Sequence, residues 1–326
     1  MKTDRPLPIS VIIPTMNCIA EIPEHIKALN RWITEVNEVI VIDSESNDGT
    51  MECLKQDLTH PNITFINHPP GLYQSWNAAI QVAKSKYVYV ATVSDKIAFT
   101  TLEKLYQTAE SSNADAVLSA PNIISPDGKK LNKKWPLHRF IESRGLTEPY
   151  CPTHLERLIH NTINLPGTLI GSSASNLYKT ETLQTTPFPL DCGNTGDSAW
   201  AIQQSLMGVW MIIPNLQSKF VFHSNRGIPA DIRQKMKESC YKQAAKTWNE
   251  FFEQDNNRNK YQDILPLIKQ LHRLWSEKSP ISQRLKQQKK KSWPWFLSLV
   301  AWKLRCQQKT IETQIHIIQR KLFNLK

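Results

Sequence analysis

The sequence predicts an α/β protein with a mostly parallel sheet flanked by helices, followed by a helical C-terminal extension. Short apolar runs alternate with helical patterns through residues 7–120, and such alternation is typical of parallel strands joined by helices on both faces. Past Pro229 the chain becomes helical in pattern, basic and rich in Gln. We therefore expect two parts, residues 1–230 and residues 231–326.

The strands are predicted by short runs rich in Val and Ile. The first five are Ile9–Pro14, Glu38–Asp43, Ile63–Asn67, Tyr87–Val93 and Ala114–Ala120. A small-residue segment, Gly171–Tyr178, is a further candidate, and Val209–Ile213 and Phe220–His223 are expected to close the sheet.

The helices are predicted by apolar periodicity and by capping signals. Apolar residues at spacings of four and three lie on one face of a helix between the first two strands; they are Ile22, Ile26, Leu29, Ile33 and Val36. The segment Thr100–Glu103 has the pattern of a capping box at the start of another helix. Helices are also expected near His154–Asn164 and after Thr195, whereas the prolines between 121 and 168 predict a loop-rich region.

Composition indicates a folded protein of the reducing cytoplasm. The chain has 326 residues, of which 40% are hydrophobic, and ten are Trp. No apolar stretch is long enough to span a bilayer, and no apolar signal-peptide core follows Met1. The six Cys show neither metal-type nor disulfide-type spacing. The expected location is cytoplasmic, with the inner face of the cytoplasmic membrane as a peripheral site.

The two parts differ sharply in charge. Residues 1–230 hold 19 Lys and Arg against 21 Asp and Glu, whereas residues 231–326 hold 21 against 8. The whole basic excess of +11 therefore belongs to the C-terminal part. Such asymmetry predicts an acidic partner for that part, such as anionic lipid, nucleic acid or an acidic protein.

Three motifs occur in a fixed order in the first part. The chain reads VIVIDSESNDGT at 39–50, GLYQSWNAAI at 71–80 and TVSD at 92–95, all after the strand ISVIIPT at 9–15. In this order and spacing they resemble family-2 glycosyltransferases of the GT-A fold. The nearest pattern is a polysaccharide-biosynthesis branch, similar to colanic-acid enzymes, whose members read roughly GIYDAMNKGI and then NSGD. The resemblance covers about the first two-thirds of the chain.

The resemblance implies a nucleotide-sugar donor, UDP-linked in the expected case, together with a divalent metal, Mg²⁺ or Mn²⁺. It also implies inversion and a polysaccharide or lipid-linked glycan as acceptor. It assigns Asp43 to the nucleobase and assigns further residues to the donor pocket; these are Pro14, Thr15, Ser46, Gly71, Tyr73 and Asn77. From the residues alone, Asp43 at a strand end either accepts a hydrogen bond from a base N–H or caps the turn at 44–49.

Asp95 and His223 are the candidate metal ligands. One or two carboxylates, with phosphate oxygens and water, usually hold Mg²⁺. Many relatives supply two acids at this point, whereas Thr92–Asp95 supplies one, as the NSGD pattern does. His223 follows an apolar strand where relatives carry a histidine near the diphosphate; a histidine in that setting is also often structural.

Asp197 is the candidate general base. An inverting transferase needs one carboxylate that takes the acceptor proton as the hydroxyl attacks. Asp197 follows Gly196 about 100 residues after the metal loop, which matches the family position. Its alternative role is an N-cap for the next helix, and Asp191 is its nearby competitor.

Two other enzyme classes are disfavoured. The serines at 172, 173 and 175 lie in no G-x-S-x-G elbow, and no P-loop motif occurs. With ten Gly in the chain, a Gly-rich dinucleotide-binding domain is also disfavoured.

The basic C-terminal part contains a polybasic run joined to a Trp-flanked apolar helix, at 289–305. Trp with flanking Lys and Arg is typical of interfacial helices, so a peripheral membrane contact is one hypothesis and a solvated helix is the other. Nucleic acid is not expected as a partner. Farther along the chain, apolar residues at spacings of four and three form a stripe on one helix face, which suits packing on the body or on a partner helix. A homo-oligomer is therefore one hypothesis. The stripe consists of Ile311, Ile315, Ile318, Leu322 and Leu325.

The sequence therefore predicts a hexosyltransferase-type family-2 glycosyltransferase. The alternative is a nucleotide- or glycan-binding scaffold that has lost catalysis and is recruited by its basic tail; the single acid at Thr92–Asp95 is its main support.

Overall fold

A computed structural model describes residues 5–223, 230–254, 257–291 and 299–323. The strands are β1 Leu7–Thr15, β2 Val36–Asp43, β3 Ile63–Asn67, β4 Tyr87–Val90, β5 Lys96–Ile97, β6 Ala116–Ser119, β7 Asn122–Ile124, β8 Asn176–Lys179, β9 Trp210–Ile213 and β10 Ser218–Val221. The helices are α1 Ile22–Leu29, α2 Thr50–Asp57, α3 Leu72–Val82, α4 Phe99–Ser112, α5 Pro136–Arg144, α6 His154–Ile163, α7 Thr180–Thr185, α8 Gly196–Gln203, α9 Ala230–Glu253, α10 Asn257–Lys260, α11 Ile264–Lys291 and α12 Leu299–Phe323.

The main sheet has seven strands in the order β3-β2-β1-β4-β8-β6-β9. Its pairs are parallel except for those of β8, which runs antiparallel to β4 and β6. A smaller sheet of three strands has the order β5-β10-β7. The predicted class, a mostly parallel sheet flanked by helices with a helical C-terminal extension, is confirmed.

Both faces of the main sheet are buried, which explains its continuous apolar runs. Val39 and Val41 of β2 belong to one apolar cluster, whereas Ile40 and Ile42 belong to another. Because successive side chains of a strand point to opposite faces, α1, α2 and α4 cover one side, and α3, α5, α7 and α8 cover the other.

Two predicted helix boundaries are wrong. The chain leaves the helix at Leu29, and Val36 is already the first residue of β2. The turn is fixed instead by Asn30, whose side chain donates to Asp57 O at 2.8 Å and accepts from Thr59 N at 3.2 Å. Helix α4 begins at Phe99 with Ala98 as N-cap and no side-chain cap, so the capping box predicted at 100–103 does not form.

The region expected to be loop-rich is more ordered than predicted, since it also contains β7 and α5, while α6 confirms the helix predicted near His154–Asn164. Pro136 does not break a helix but begins α5, where a missing N–H costs nothing. Helix α6 has a capping box formed by Thr153 and Glu156.

The C-terminal helices pack on the body through α6. One apolar cluster joins residues of α6, α9, α11 and α12, and Gln319 Nε2 donates to Ile163 O at 2.5 Å. The stripe residues Ile311, Ile315, Ile318 and Leu322 are buried in this cluster. Leu325 and residues 292–298 of the polybasic–Trp segment lie outside the described residues. Among the described helices, none combines the length and apolarity needed to span a bilayer.

Candidate active site

Two adjoining cavities open where the parallel strands end. The first, of about 440 Å³, begins at Pro14 and Thr15 of β1 and is called the β1 cavity. The second, of about 370 Å³, is lined by Asp95, Asp197 and His223 and is called the Asp197 cavity. Leu72, Trp76, Thr92 and Val93 line both. The structure therefore places the three residues predicted for metal binding and proton transfer in one cavity, beside a second cavity along β1.

Asp43 lies at the end of β2, is only 2% exposed and lines neither cavity itself, although Ser44, which follows it, lines the β1 cavity. Its Oδ1 accepts hydrogen bonds from the Thr15 hydroxyl at 2.7 Å and the Ser46 hydroxyl at 2.6 Å, and its Oδ2 accepts from Ser46 N at 2.8 Å. The carboxylate thus ties β1 to the turn after β2. Each carboxylate oxygen has two acceptor positions, so one position on Oδ2 is not used by these bonds.

The loop that carries Asp95 is tightly held. Asp95 Oδ2 accepts from the Thr92 hydroxyl at 2.6 Å, and Oδ1 accepts from Val221 N at 2.9 Å on β10 of the smaller sheet. Ser94 has φ +80°, a conformation that side chains rarely adopt. These contacts fix the carboxylate at the wall of the Asp197 cavity.

Asp197 lies in the first turn of α8 rather than at its N-cap, which is Thr195. Its carboxylate accepts from Ser198 N at 2.6 Å and from the hydroxyl of Tyr73. Burial raises the pKa of Asp197, while the Ser198 N–H and the Tyr73 hydroxyl lower it in opposition. A carboxylate with a raised pKa is a stronger base than an exposed one.

Gly196 lets Tyr73 reach Asp197. A Cβ at position 196 would lie 2.5 Å from the Tyr73 ring and 2.7 Å from Pro189 O, so only glycine allows this close approach. Tyr73 is 3% exposed and packs edge-on against Trp76, with ring centroids 5.3 Å apart. Burial, then the neighbouring Asp197 charge, raises the pKa of Tyr73 well above its usual value, so the phenol stays protonated and donates.

The turn before Asp197 is covered by α9. Cys240 Sγ donates to Thr195 Oγ1 at 3.4 Å, and Met236 packs where a side chain at Gly193 would extend. The C-terminal part therefore contacts the segment that leads into Asp197.

The residues predicted for the donor pocket have different positions. Pro14, Thr15 and Gly71 line the β1 cavity, Tyr73 lines the Asp197 cavity, and Ser46 supports Asp43. Asn77 lines neither cavity. Its amide donates to Phe188 O at 2.8 Å and accepts from Phe188 N at 3.0 Å, so it joins α3 to the segment before α8.

Sequence reasoning missed two contributors to the site. Trp76 was not among the predicted site residues, yet it is buried and lines both cavities. Its three-residue spacing from Tyr73 on α3 was a usable signal, because such residues share a helix face. The Val221 N–H that holds Asp95 lies 126 residues away, and no local pattern indicates it.

Comparison with known proteins finds a family match in the first half of the chain. Residues 10–165 match the family described as Glycosyl transferase family 2. The chain is 26% identical over 113 residues to glycosyltransferase GlyG of Streptococcus pneumoniae serotype 4 (strain ATCC BAA-334 / TIGR4). That match covers 34% of this chain and 38% of the relative's length.

Among solved structures, S. aureus TarS 1–349 in complex with UDP is similar, with a TM-score of 0.49 and 16% identity over 77% of this chain and 73% of that one. A second structure of S. aureus TarS 1–349 has the same TM-score and identity over 96% and 89% of the two chains.

Proposed function

We propose that this chain, whose residues 10–165 match the family described as Glycosyl transferase family 2, transfers a hexose with inversion from a UDP-linked donor to a polysaccharide or lipid-linked glycan. The observation that carries the proposal is the pair of adjoining cavities. One is lined by the end of β1, and the other contains Asp95, Asp197 and His223. A nucleotide and its sugar need two such linked compartments.

The β1 cavity is assigned to the nucleoside. Pro14, Thr15 and Gly71 line it, and ligands of parallel sheets bind beyond the carboxyl ends of the strands. We assign the unused acceptor position on Asp43 Oδ2 to an N–H of the nucleobase. Ser46 keeps that carboxylate oriented through its N–H and hydroxyl.

Asp197 is assigned as the general base. Its carboxylate takes the proton of the acceptor hydroxyl as the oxygen attacks the anomeric carbon from the face opposite the diphosphate. Tyr73 and the Ser198 N–H hold the carboxylate in position. Tyr73 is thus a positioning residue for the base.

The residues fit a divalent metal that arrives with the donor. Among the described residues no group of three or more His, Cys, Asp or Glu could form a protein cage. Asp95 and His223 face one cavity, and Mg²⁺ commonly takes one or two carboxylates while phosphates and water fill the remaining positions. Bound there, the metal would neutralise charge on the departing diphosphate.

We also propose a two-part organisation, with the transferase part in residues 1–230 and the basic helical part in residues 231–326. The part that includes 289–305 is assigned a peripheral contact with the cytoplasmic face of a membrane, where Trp302 is exposed beside Lys303 and Arg305. Nucleic acid is not a proposed partner. A measurement of the molar mass in solution would show whether the protein self-associates.

Calorimetric titration of UDP, with and without Mn²⁺, tests the proposal in wild type and Asp95→Ala. We expect metal-dependent binding that Asp95→Ala weakens at least about tenfold, since the site loses its carboxylate ligand. Asp263→Ala, which removes an exposed carboxylate between α10 and α11, is the control and should bind like wild type.

The result distinguishes the glycosyltransferase hypothesis from the scaffold hypothesis. Folded wild-type protein that binds no UDP contradicts the donor assignment. UDP binding without transfer or hydrolysis of any UDP-sugar tested would favour the alternative scaffold, which the single acid of the Asp95 loop allows.

A further inference from the structure

The smaller sheet presents lysines on one face. Lys219 of β10 lies directly opposite Lys96 of β5 and, on its other side, Asn122 of β7. Two residues farther along, Val221 pairs with Ile124, which pairs with Lys130. Since side chains alternate between faces, Lys96, Lys219 and Lys130 share the outer face, and all three are exposed.

A fourth lysine lies near these three, beside the Asp197 cavity. The Lys133 Nζ lies 4.2 Å from the ring centroid of Phe222, and Phe222 lines the cavity beside His223. Val221, on the outer face with Lys219, lines the same cavity. The four lysines, called the basic face, therefore begin at the mouth of the cavity.

The charges of the basic face are not neutralised within the part of the chain that the structure describes. Its lysines appear in no ion pair there, whereas their neighbours do: Lys129 pairs with Asp127 at 3.0 Å and Lys134 with Glu142 at 2.8 Å. Like charges directly opposite on neighbouring strands destabilise a sheet. The Lys96–Lys219 pair thus has a cost that a bound anion would relieve.

We propose that the basic face binds the acceptor, and that the acceptor is an anionic glycan whose phosphodiester or carboxylate groups contact these lysines as its growing end enters the Asp197 cavity. This inference rests on the proposed glycosyl transfer. The lysines are spaced about 5 Å across strands and about 7 Å along them, which suits repeated charges on a polymer. Leu72 and Thr92 join the Asp197 cavity to the β1 cavity, to which the nucleoside is assigned.

A membrane fits the basic face less well than a glycan. None of the large exposed hydrophobic residues of the described chain lies on the smaller sheet, whereas interfacial segments insert such residues among headgroups. Single-stranded nucleic acid prefers exposed aromatic rings for stacking, whereas the Phe222 ring is covered by Lys133.

The test compares Lys96→Gln/Lys219→Gln with Lys55→Gln/Lys84→Gln in the full chain. The control pair removes the same charge from exposed lysines in α2 and before β4. The probes are oligogalacturonate, inorganic polyphosphate and, as the neutral match, maltooligosaccharide, titrated at low salt. We expect the first pair to weaken binding of both anions roughly three- to tenfold and the control to leave it unchanged, because surface ion pairs contribute modestly and are screened by salt.

Three outcomes would overturn the inference: no binding of either anion by wild type, equal weakening in the two pairs, or a larger loss for phosphatidylglycerol vesicles or single-stranded DNA than for oligogalacturonate. UDP is titrated against the same proteins, and both pairs should bind it like wild type. UDP binding with lysine-independent anion binding would defeat this inference alone, whereas absent UDP binding would defeat the proposed function itself.

Discussion

The burial of the Asp197 carboxylate lowers the stability of the folded protein at neutral pH. Burial raises its pKa, so the folded protein disfavours the ionised form relative to the unfolded chain. The stability that goes with the protonated form is present at low pH and is lost as pH rises through the raised pKa. At neutral pH the ionised form of Asp197, the proposed base, therefore lowers the stability of the folded protein, and such pKa shifts often occur at functional sites.

Asp197→Asn should therefore abolish transfer, retain UDP binding and raise Tm. The amide oxygen still accepts from Ser198 N and Tyr73, while the buried charge is gone. We expect a rise of about 2–4 °C, the shift that roughly 1 kcal/mol produces in a domain of this size. Thermal melting with UDP calorimetry measures both effects. Asp191→Asn, at an exposed acid six residues earlier, is the control; full transfer by Asp197→Asn would remove it as the base.

Ser94 is a second residue whose conformation lowers the stability of the folded protein. It adopts φ +80°, and its buried hydroxyl has no hydrogen-bond partner among the described residues. Side chains pay roughly 1–2 kcal/mol in this backbone region.

Ser94→Gly should raise the free energy of unfolding by about 1 kcal/mol, because it removes both the strain and the orphaned hydroxyl. Ser94→Ala removes the hydroxyl alone and should gain less. Urea unfolding at neutral pH separates the two variants. A gain from alanine equal to that from glycine would show that the backbone is not strained.

The sequence alone could single out candidate site residues that lie at the ends of strands. Asp43 and Asp95 lie at or just after strands of a parallel sheet, and such ends face ligands. The structural role of Asn77 could not be predicted, because its hydrogen-bond partner, the Phe188 backbone, is 111 residues away. The contact between Tyr73 and Asp197 was also hidden, since it depends on the space left by Gly196.

Among the elements, α12 shows how periodicity predicts packing but not the partner. Its apolar stripe was visible in sequence, and the structure packs it on α6 and α11 in one cluster. The smaller sheet was largely missed, because its strands have two to four residues, too few for a period to appear. Its register, and hence the basic face, depends on long-range pairing.

Replacement of Ile315 or Ile318 by alanine should cost about 2–4 kcal/mol, since each is buried between helices. Ile317→Ala is the matched control, because that side chain on the same helix is 49% exposed; it should cost less than about 0.5 kcal/mol. Urea unfolding gives all three values. Equal costs at 315 and 317 would mean that α12 does not dock through its stripe.

For the molecule as a whole, buried histidines set an acid limit to stability. Burial lowers the pKa of His160 and His272 to about 4. The unfolded chain, with a histidine pKa near 6.5, therefore binds protons first as pH falls. The stability from these neutral rings is present above pH 6.5 and is lost as pH falls toward 4.

We expect the free energy of unfolding to fall between pH 6.5 and 4 by about 1.4 kcal/mol per pH unit for each of these histidines. Urea unfolding at pH 7, 6 and 5 measures the slope. His160→Leu should reduce this slope by the contribution of one histidine. His316→Leu, at a residue exposed on α12, should leave the slope unchanged. An unchanged slope in His160→Leu would rule out this source of acid sensitivity.

The contact of α9 with the turn before Asp197 has a consequence for biosynthesis. The partners are Thr195 and Cys240, so the cover of that turn leaves the ribosome 45 residues later, on the order of a few seconds at ordinary rates of synthesis. A nascent chain thus completes β1, β2 and their cavity well before the base is enclosed. The compartment proposed for the nucleotide therefore forms first, and the turn that carries the proposed base is covered by α9 only afterwards.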